Sequence, residues 1–241
     1  MTQHPKSVLI TGAYGGLGRA FAESYLSKNN NLCLVGRDKE KLQELVKELQ
    51  NNNQHDNRID FEHCDLSNSE SVLFMTESVK DKFENIDILV NCAGIFPVND
   101  LQDVSLEEFK DCINVNLVAP FLMAREFSKE MKSKKWGRII NIASSSAYGG
   151  GPSTSTYCAS KHALLGLSRS LFKELKSYGV RVFCVSPGSI QTEMGRDVEK
   201  LGQVYDTFMT PQEIADYVSY VTSFDGHMIS EEIRLNRLFV Q

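Results

Sequence analysis

A short apolar run at residues 7–11 passes straight into Gly12-Ala13-Tyr14-Gly15-Gly16-Leu17-Gly18, and then into a segment whose apolar positions recur at helical spacing. This strand, glycine turn and helix constrain the fold more than any other part of the chain. A helix that begins directly beyond a strand must pack back over it, and residues without a Cβ let the chain turn that sharply. Gly12 suits the tight turn, Gly16 a close approach of backbone to a ligand, and Gly18 close packing of helix on strand. The exposed amides of a helix opened in this way attract an anion. Taken alone the glycines are weak evidence; the strand before and the helix after them give the pattern its weight.

The same alternation continues along the chain. Residues 31–35 read as a second strand, and 39–50 as an amphipathic helix with Leu42, Leu45, Val46 and Leu49 on one stripe. A third strand at 59–64, a helix at 69–83 and a fourth strand at 86–90 follow. Residues 105–133 read as one long helix opened by a capping box between Ser105 and Glu108, with a kink at Pro120. Strands at 138–143 and 180–185 flank a helix that runs from Tyr157 to Tyr178 and stops at Gly179. A further helix at 211–224 precedes a tail in which Ile233, Leu235, Leu238, Phe239 and Val240 have the spacing of a last strand. Strands alternating with helices predict an α/β fold with a mostly parallel sheet covered on both faces. The 241 residues suit one domain of that kind.

The stretch 141–161 carries the chemistry. Ser144 closes an apolar, β-branched run, so its hydroxyl emerges at the carboxyl end of a buried strand. Tyr157 and Lys161 stand at i and i+4 on one helix face, and Gly149-Gly150-Gly151-Pro152 brings that helix back past the strand end. A tyrosine whose pKa lies at about 10 exchanges protons poorly near neutrality. An ammonium one turn away is expected to favour the phenolate and make the phenol usable as acid or base. Ser144 is placed to hold a substrate oxygen as charge develops there. Asn116 falls in an apolar stretch of the long helix, where an amide is costly unless bonded.

Ser144, Tyr157 and Lys161 repeat the Ser and Tyr-x-x-x-Lys arrangement of the classical short-chain dehydrogenase/reductase family, which the chain resembles from about residue 6 to about residue 192. The glycine turn is similar to that family's cofactor turn, Asn91-Cys92-Ala93-Gly94 to its Asn-Asn-Ala-Gly element, and Pro187-Gly188 to its turn after a later strand. The resemblance implies a Rossmann-type doubly wound sheet of seven strands, with the substrate site built into one nucleotide-binding domain over 1–241. It implies Asn116, Ser144, Tyr157 and Lys161 as the catalytic set, Asn116 positioning a water that links the lysine to solvent. For the cofactor it implies Gly12, Tyr14, Gly15, Gly16, Leu17, Gly18, Arg37, Asp65, Leu66, Asn91, Ala93, Gly94, Pro187, Gly188, Ile190 and Thr192, with Tyr157 and Lys161 at the nicotinamide end. Asp65 also has the alternative reading of a helix N-cap, and Asn91 that of a tie between strands. Cys92 replaces an amide of the family element.

Cofactor choice turns on Gly36 and Arg37. Relatives that prefer NAD carry an acidic residue where Gly36 stands, and the Arg37 guanidinium suits a 2′-phosphate, so NADP(H) is expected, with NAD(H) the alternative. The plain reading of Arg37 is a strand cap or a partner for Asp38; Asp38 itself could bond a ribose hydroxyl. Phe96, Tyr148 and Met194 are candidates for the substrate wall. The lid segment, 193–210, is short and poor in large apolar residues, which points to an open pocket. The expected reaction is NADP(H)-dependent reduction of a ketone or aldehyde, or the reverse, on a small carbonyl compound or a 3-oxoacyl thioester. A catalytically weak NADPH-binding sensor of the same fold is the alternative.

The formal charge of −5 leaves no basic stripe, which argues against nucleic acid or an anionic membrane as partner. No apolar run reaches the length of a membrane span and no signal-peptide pattern opens the chain, so a cytoplasmic protein is expected. The six cysteines fall singly in apolar segments, with no Cys-x-x-Cys pair, and are expected to be reduced core residues without a metal. A homodimer or homotetramer paired through long helices is expected from the family, although the usual Asp-Gly-Gly after the last strand is missing.

Overall fold

The structure, a computed structural model, describes residues 5–199 and 201–238. In chain order it comprises β1 (Ser7–Thr11), α1 (Gly16–Ser27), β2 (Asn31–Gly36), α2 (Lys39–Asn51), β3 (Ile59–His63), α3 (Ser69–Lys82) and β4 (Ile88–Asn91). Then come α4 (Leu106–Ile113), a π-helical turn at Asn114–Val118, α5 (Ala119–Lys134), β5 (Gly137–Ile142), α6 (Ser155–Leu175), β6 (Val180–Pro187), α7 (Glu193–Glu199), α8 (Pro211–Val221) and β7 (Glu232–Leu235).

The seven strands lie in the order β3-β2-β1-β4-β5-β6-β7, and every pair is parallel. Alternate strand residues feed two cores. Val8, Ile10, Leu34 and Ile140 face α1, α2 and α8, whereas Leu9, Cys33, Leu89 and Ile139 face α3 and α5. Side chains at strand centres such as Leu9, Ile10 and Leu34 are fully buried. Each such burial stabilises the fold by about 1.5–3 kcal/mol. The strands read as unbroken apolar runs because both faces are covered. The order reverses between β1 and β4, and a doubly wound sheet opens its ligand crevice at the carboxyl ends of such a pair.

Three local expectations change. The segment at 105–133 is not one regular helix: it passes through the π-helical turn at Asn114–Val118, immediately before Pro120. Proline has no N–H, so the carbonyl of Asn116 lacks its ordinary helical donor four residues on. The capping box there is half formed. Ser105 accepts from the Glu108 N–H at 3.1 Å, but the Glu108 carboxylate takes the Asn99 amide instead. Asn68, not Asp65, caps α3, accepting from the amides of Glu70 and Ser71; Asp65 turns its carboxylate to Ser67.

Gly179 stops the α6 segment at φ +74°, a backbone that β-carbons disfavour. At the far edge β7 pairs with β6 over Glu232–Leu235; Leu238 beyond it is exposed, and Phe239 and Val240 lie outside the described residues. All six cysteines carry free thiols, Cys92 half-buried and the others buried. No helix among the described residues is long and apolar enough to cross a membrane.

Candidate active site

The crevice forms where the ends of β1 and β4 meet. Thr11, at the end of β1, accepts from the backbone amides of both Cys92 and Ala93, each at 3.0 Å. This tie was not legible in the sequence. It draws the glycine turn against β4 so closely that a Cβ on Gly12, which sits at φ +64°, would lie 2.9 Å from Ala93 Cα. A Cβ on Gly18 would lie 2.2 Å from the Gly12 carbonyl oxygen. Only glycine fits either position.

The turn also leaves the first amides of α1 without a side-chain cap among the described residues. Asp38, Asn68, Ser105 and Thr210 cap α2, α3, α4 and α8 with their side chains. Gly15 offers no cap to α1, and no acidic residue occupies that helix's first turn. An N-terminus kept uncapped carries donors and a positive dipole end for an external anion. The dinucleotide pyrophosphate is such a group, so the residues present fit it. Thr192, far away in sequence, rests its methyl group against Gly16, where a Cβ would lie 3.0 Å from it, and brings the loop after β6 over the turn. Gly188 is fixed beside β7 by its N–H bond to the Leu235 carbonyl, and Ile190 bridges Met209.

Next to this turn a cleft of about 600 Å³ is lined by Tyr14, Arg37, Asp38, Lys39, Glu40, Lys41, His63 and Glu193. The Arg37 guanidinium has no hydrogen-bond or ion-pair partner among the described residues. Asp38 does not pair with it. Its Oδ1 accepts from the Lys41 amide at 3.0 Å as the cap of α2, and its Oδ2 lies 3.8 Å from Lys41 Nζ. Leu66 is buried in the core and Asp65 is exposed at the end of β3. Asn91 directs its amide into the sheet, donating to Asn141 at 2.8 Å, while Asn141 donates to Ser168. That bond makes Asn91 a tie between β4, β5 and α6, the structural reading given to it from the sequence.

Beyond Asn91 the chain passes Gly94, where a Cβ would lie 3.3 Å from Asn116 Oδ1 and 3.6 Å from Lys161 Nζ. These two side chains, from the π-helical turn and α6, therefore converge on the bare end of β4. Lys161 is buried, and its Nζ donates to the Ile142 carbonyl at 2.8 Å. Its ammonium lies 5.6 Å from the centroid of the Tyr157 ring. Ser144, half-buried beyond the end of β5, accepts from the Ser146 N–H at 3.1 Å and lies near enough to the Tyr157 hydroxyl to draw its pKa down. Phe96 stands edge-on to Tyr157 with ring centroids 4.6 Å apart.

Asn116 is held on every side. Its Oδ1 accepts from the Ile95 N–H at 2.9 Å; its Nδ2 donates to the Ile95 carbonyl at 3.0 Å and the Ser160 hydroxyl at 3.0 Å, with Cys112 Sγ at 3.3 Å. The side chain is thus committed to protein partners, which leaves the backbone carbonyl as the group of Asn116 open to a water. Ile95, Cys112 and Ser160 were not singled out in the sequence. Cys112 lies one turn before Asn116, the only signal that could have found it.

Burial sets the protonation of the pair. Tyr157 is pushed up to about 12 by burial, with the nearby Ser144 hydroxyl opposing, and Lys161 is pushed down to about 8 by burial. The expectation that Lys161 lowers the Tyr157 pKa is not met, because burial dominates and raises it. The ammonium is aimed at a carbonyl beside the ring and itself suffers from desolvation, so it gives the phenol little help. Tyr157 is consequently a protonated acid across the ordinary pH range.

Of the expected wall residues only Phe96 stands against Tyr157. The Tyr148 hydroxyl donates to Glu232 at 2.9 Å and its ring lies under Arg234, so it is tied to β7; Met194 is partly exposed at the start of α7. Past Phe96 a second cleft of about 440 Å³ is lined by Ile95, Pro97, Ser105 and the carboxylates of Glu107, Glu108 and Asp111.

An uncapped helix at the switch point of a parallel sheet, with a serine, a tyrosine and a buried lysine gathered beside it, defines the class of dinucleotide-dependent oxidoreductases. The family model described as short chain dehydrogenase matches residues 6–201, and the chain belongs to that family. It is 32% identical over 235 residues to the 3-oxoacyl-(acyl-carrier-protein) reductase FabG of Rickettsia bellii, covering 93% of this chain and 92% of the relative. Among solved structures it resembles a metagenomic short-chain oxidoreductase in complex with NADP, with 30% identity, a TM-score of 0.83 and coverage of 97% and 98%. It likewise resembles a 4-hydroxyisoleucine dehydrogenase complexed with NADH, with 31% identity, a TM-score of 0.84 and coverage of 96% and 97%.

Proposed function

We propose that the chain is an NADP(H)-dependent reductase of a ketone or aldehyde, working within one domain that holds both cofactor and substrate. The observation that carries the reading is the gathering of Ser144, Tyr157 and the buried Lys161 beside the crevice, with the lysine ammonium 5.6 Å from the Tyr157 ring centroid. A bound nicotinamide supplies the hydride. Tyr157 gives its proton to the forming alkoxide, and Ser144 holds the same oxygen through the transition state. Lys161 Nζ lies beside the bare backbone of Gly94, with no side chain of that residue between it and the crevice, and its role is to bond the nicotinamide ribose. The Asn116 side chain fixes the π-helical turn to Ile95, and the Asn116 carbonyl, deprived of its usual donor by Pro120, is the group that receives a water on the proton path.

The glycine turn and the uncapped N-terminus of α1 take the pyrophosphate, and Gly188, Ile190 and Thr192 close over the nicotinamide end. Unpartnered Arg37 beside a committed Asp38 favours NADP(H) over NAD(H). For the substrate, a 3-oxoacyl thioester or a small carbonyl compound suits the open side of Phe96. The reading is tested by steady-state assays of NADPH oxidation with 3-oxoacyl thioesters, small aldehydes and ketones. Turnover with at least one class is expected, and tight NADPH binding without turnover across the panel would overturn the reading in favour of a sensor.

A further inference from the structure

Tyr14 leaves the glycine turn half-buried and lays its ring against Gly36 at the end of β2. A Cβ on Gly36 would lie 2.5 Å from Tyr14 Cε1, 3.0 Å from Cδ1 and 3.5 Å from Leu42 Cδ2. Side chains do not tolerate the shortest of these distances, so any residue larger than glycine at position 36 requires the ring to move. Leu42, fully buried, closes the inner side. Outward movement carries the ring into the cleft that it lines with Arg37, Lys41 and His63.

Position 36 matters for recognition. In dinucleotide folds an acidic residue roughly 20 positions beyond the glycine turn bonds the ribose 2′-hydroxyl, whereas a nearby arginine accepts a 2′-phosphate. We infer that Tyr14 is a specificity-determining residue: its ring fills the volume a carboxylate at position 36 needs, and so commits the site to a cofactor bearing a 2′-phosphomonoester. This inference rests on the NADP(H) reading and deepens it, by assigning the selection to a residue of the glycine turn.

Three contacts support the arrangement. Lys41 Nζ stands 5.6 Å from the centroid of the Tyr14 ring, which couples the ring to a cation at the cleft. His63 Nε2 lies 3.1 Å from the Arg37 carbonyl oxygen and donates to it in the tautomer that carries the proton there, fixing the backbone from which the guanidinium departs. Asp38, the carboxylate that could otherwise take the ribose diol, is held by the Lys41 amide.

The test is a cycle of Gly36→Asp, Tyr14→Ser and the double variant, with dissociation constants for NADPH and NADH measured by titration on the full chain. The wild type is expected to bind NADPH at least about tenfold more tightly than NADH, the loss of one charge-assisted contact being of that size. Gly36→Asp alone weakens both cofactors, because the displaced ring enters the cleft. Adding Tyr14→Ser shifts the NADPH-to-NADH preference by about 100-fold toward NADH. Equal shifts in the single and double variants would overturn the role of Tyr14 while leaving the NADP(H) reading intact. A wild type that prefers NADH would overturn the NADP(H) reading itself, and the inference with it. Should Gly36→Asp not fold, Gly36→Ala reads the same clash: it lowers the melting temperature in the presence of Tyr14 and leaves it nearly unchanged alongside Tyr14→Ser. Equal melting losses in both backgrounds would contradict the inference.

Discussion

Arg37 and Lys161 mark the two ends of the crevice, and their surroundings differ in almost every respect. Arg37 is exposed at the rim of the 600 Å³ cleft, its guanidinium without a partner among the described residues. Lys161 is 4% exposed, bonded to the Ile142 carbonyl, and pushed down to about 8 by burial. An exposed cation is fully hydrated and screened, so it can distinguish ligands without altering proton chemistry. A desolvated one changes the protonation of its neighbourhood, and pH then reaches the reaction. On the proposed function, the first region serves selection of the cofactor and the second serves catalysis.

Removing the buried charge is the strongest way to sharpen that contrast. Lys161→Met is expected to lower kcat/KM for carbonyl reduction by about 10²–10⁴-fold, the range for loss of an acid–base component. In the wild type kcat/KM should fall as pH rises through about 8, where Lys161 loses its proton in the free enzyme, and the variant should show no such fall. An unchanged profile in the variant would remove Lys161 from the mechanism.

The same burial has a stability consequence of the opposite sense. Below pH 8 folded and unfolded chains both carry the Lys161 proton, and the cost of burying the ammonium is present in full. Between about 8 and the ordinary lysine value the unfolded chain retains a proton that the folded protein has lost, so stability rises with pH. Relative to Lys161→Met, the wild type should gain on the order of 3 kcal/mol across that interval in denaturant titrations. A parallel pair of stability curves would contradict the buried, shifted lysine.

At the exposed end the expected effects are smaller and confined to binding. Arg37→Ala should weaken NADPH by about 10–100-fold and NADH by less than about twofold, with the difference shrinking as salt is added. Equal weakening of both cofactors would mean that Arg37 supports the cleft instead of reading the phosphate.

The two regions were also unequally legible. Ser144, Tyr157 and Lys161 lie within one strand-turn-helix segment, where fixed spacing places a face, so their proximity followed from the sequence. The glycine turn followed for the same reason. The partners of Asn116 did not: Ile95, Cys112 and Ser160 come from three segments and meet across a π-helical turn that breaks the helical period. The Tyr157 pKa was expected to fall beside Lys161 and is instead raised by burial, because i,i+4 spacing reports nearness and says nothing of desolvation. Asp65 and Asn68 both suit a cap, and only the backbone path chose Asn68. The packing of the Tyr14 ring against Gly36 joins segments distant in the sequence, and no local pattern encodes it.

The central claim is that the proton in carbonyl reduction comes from Tyr157. Its most direct measurement is a single turnover, with one equivalent of NADPH bound beforehand and nicotinamide absorbance followed after mixing with a carbonyl substrate. Wild type should consume the equivalent, while Tyr157→Phe should bind NADPH with similar affinity and react about 10²–10⁴-fold more slowly. A variant whose single-turnover rate stays within a few-fold of wild type would contradict the account.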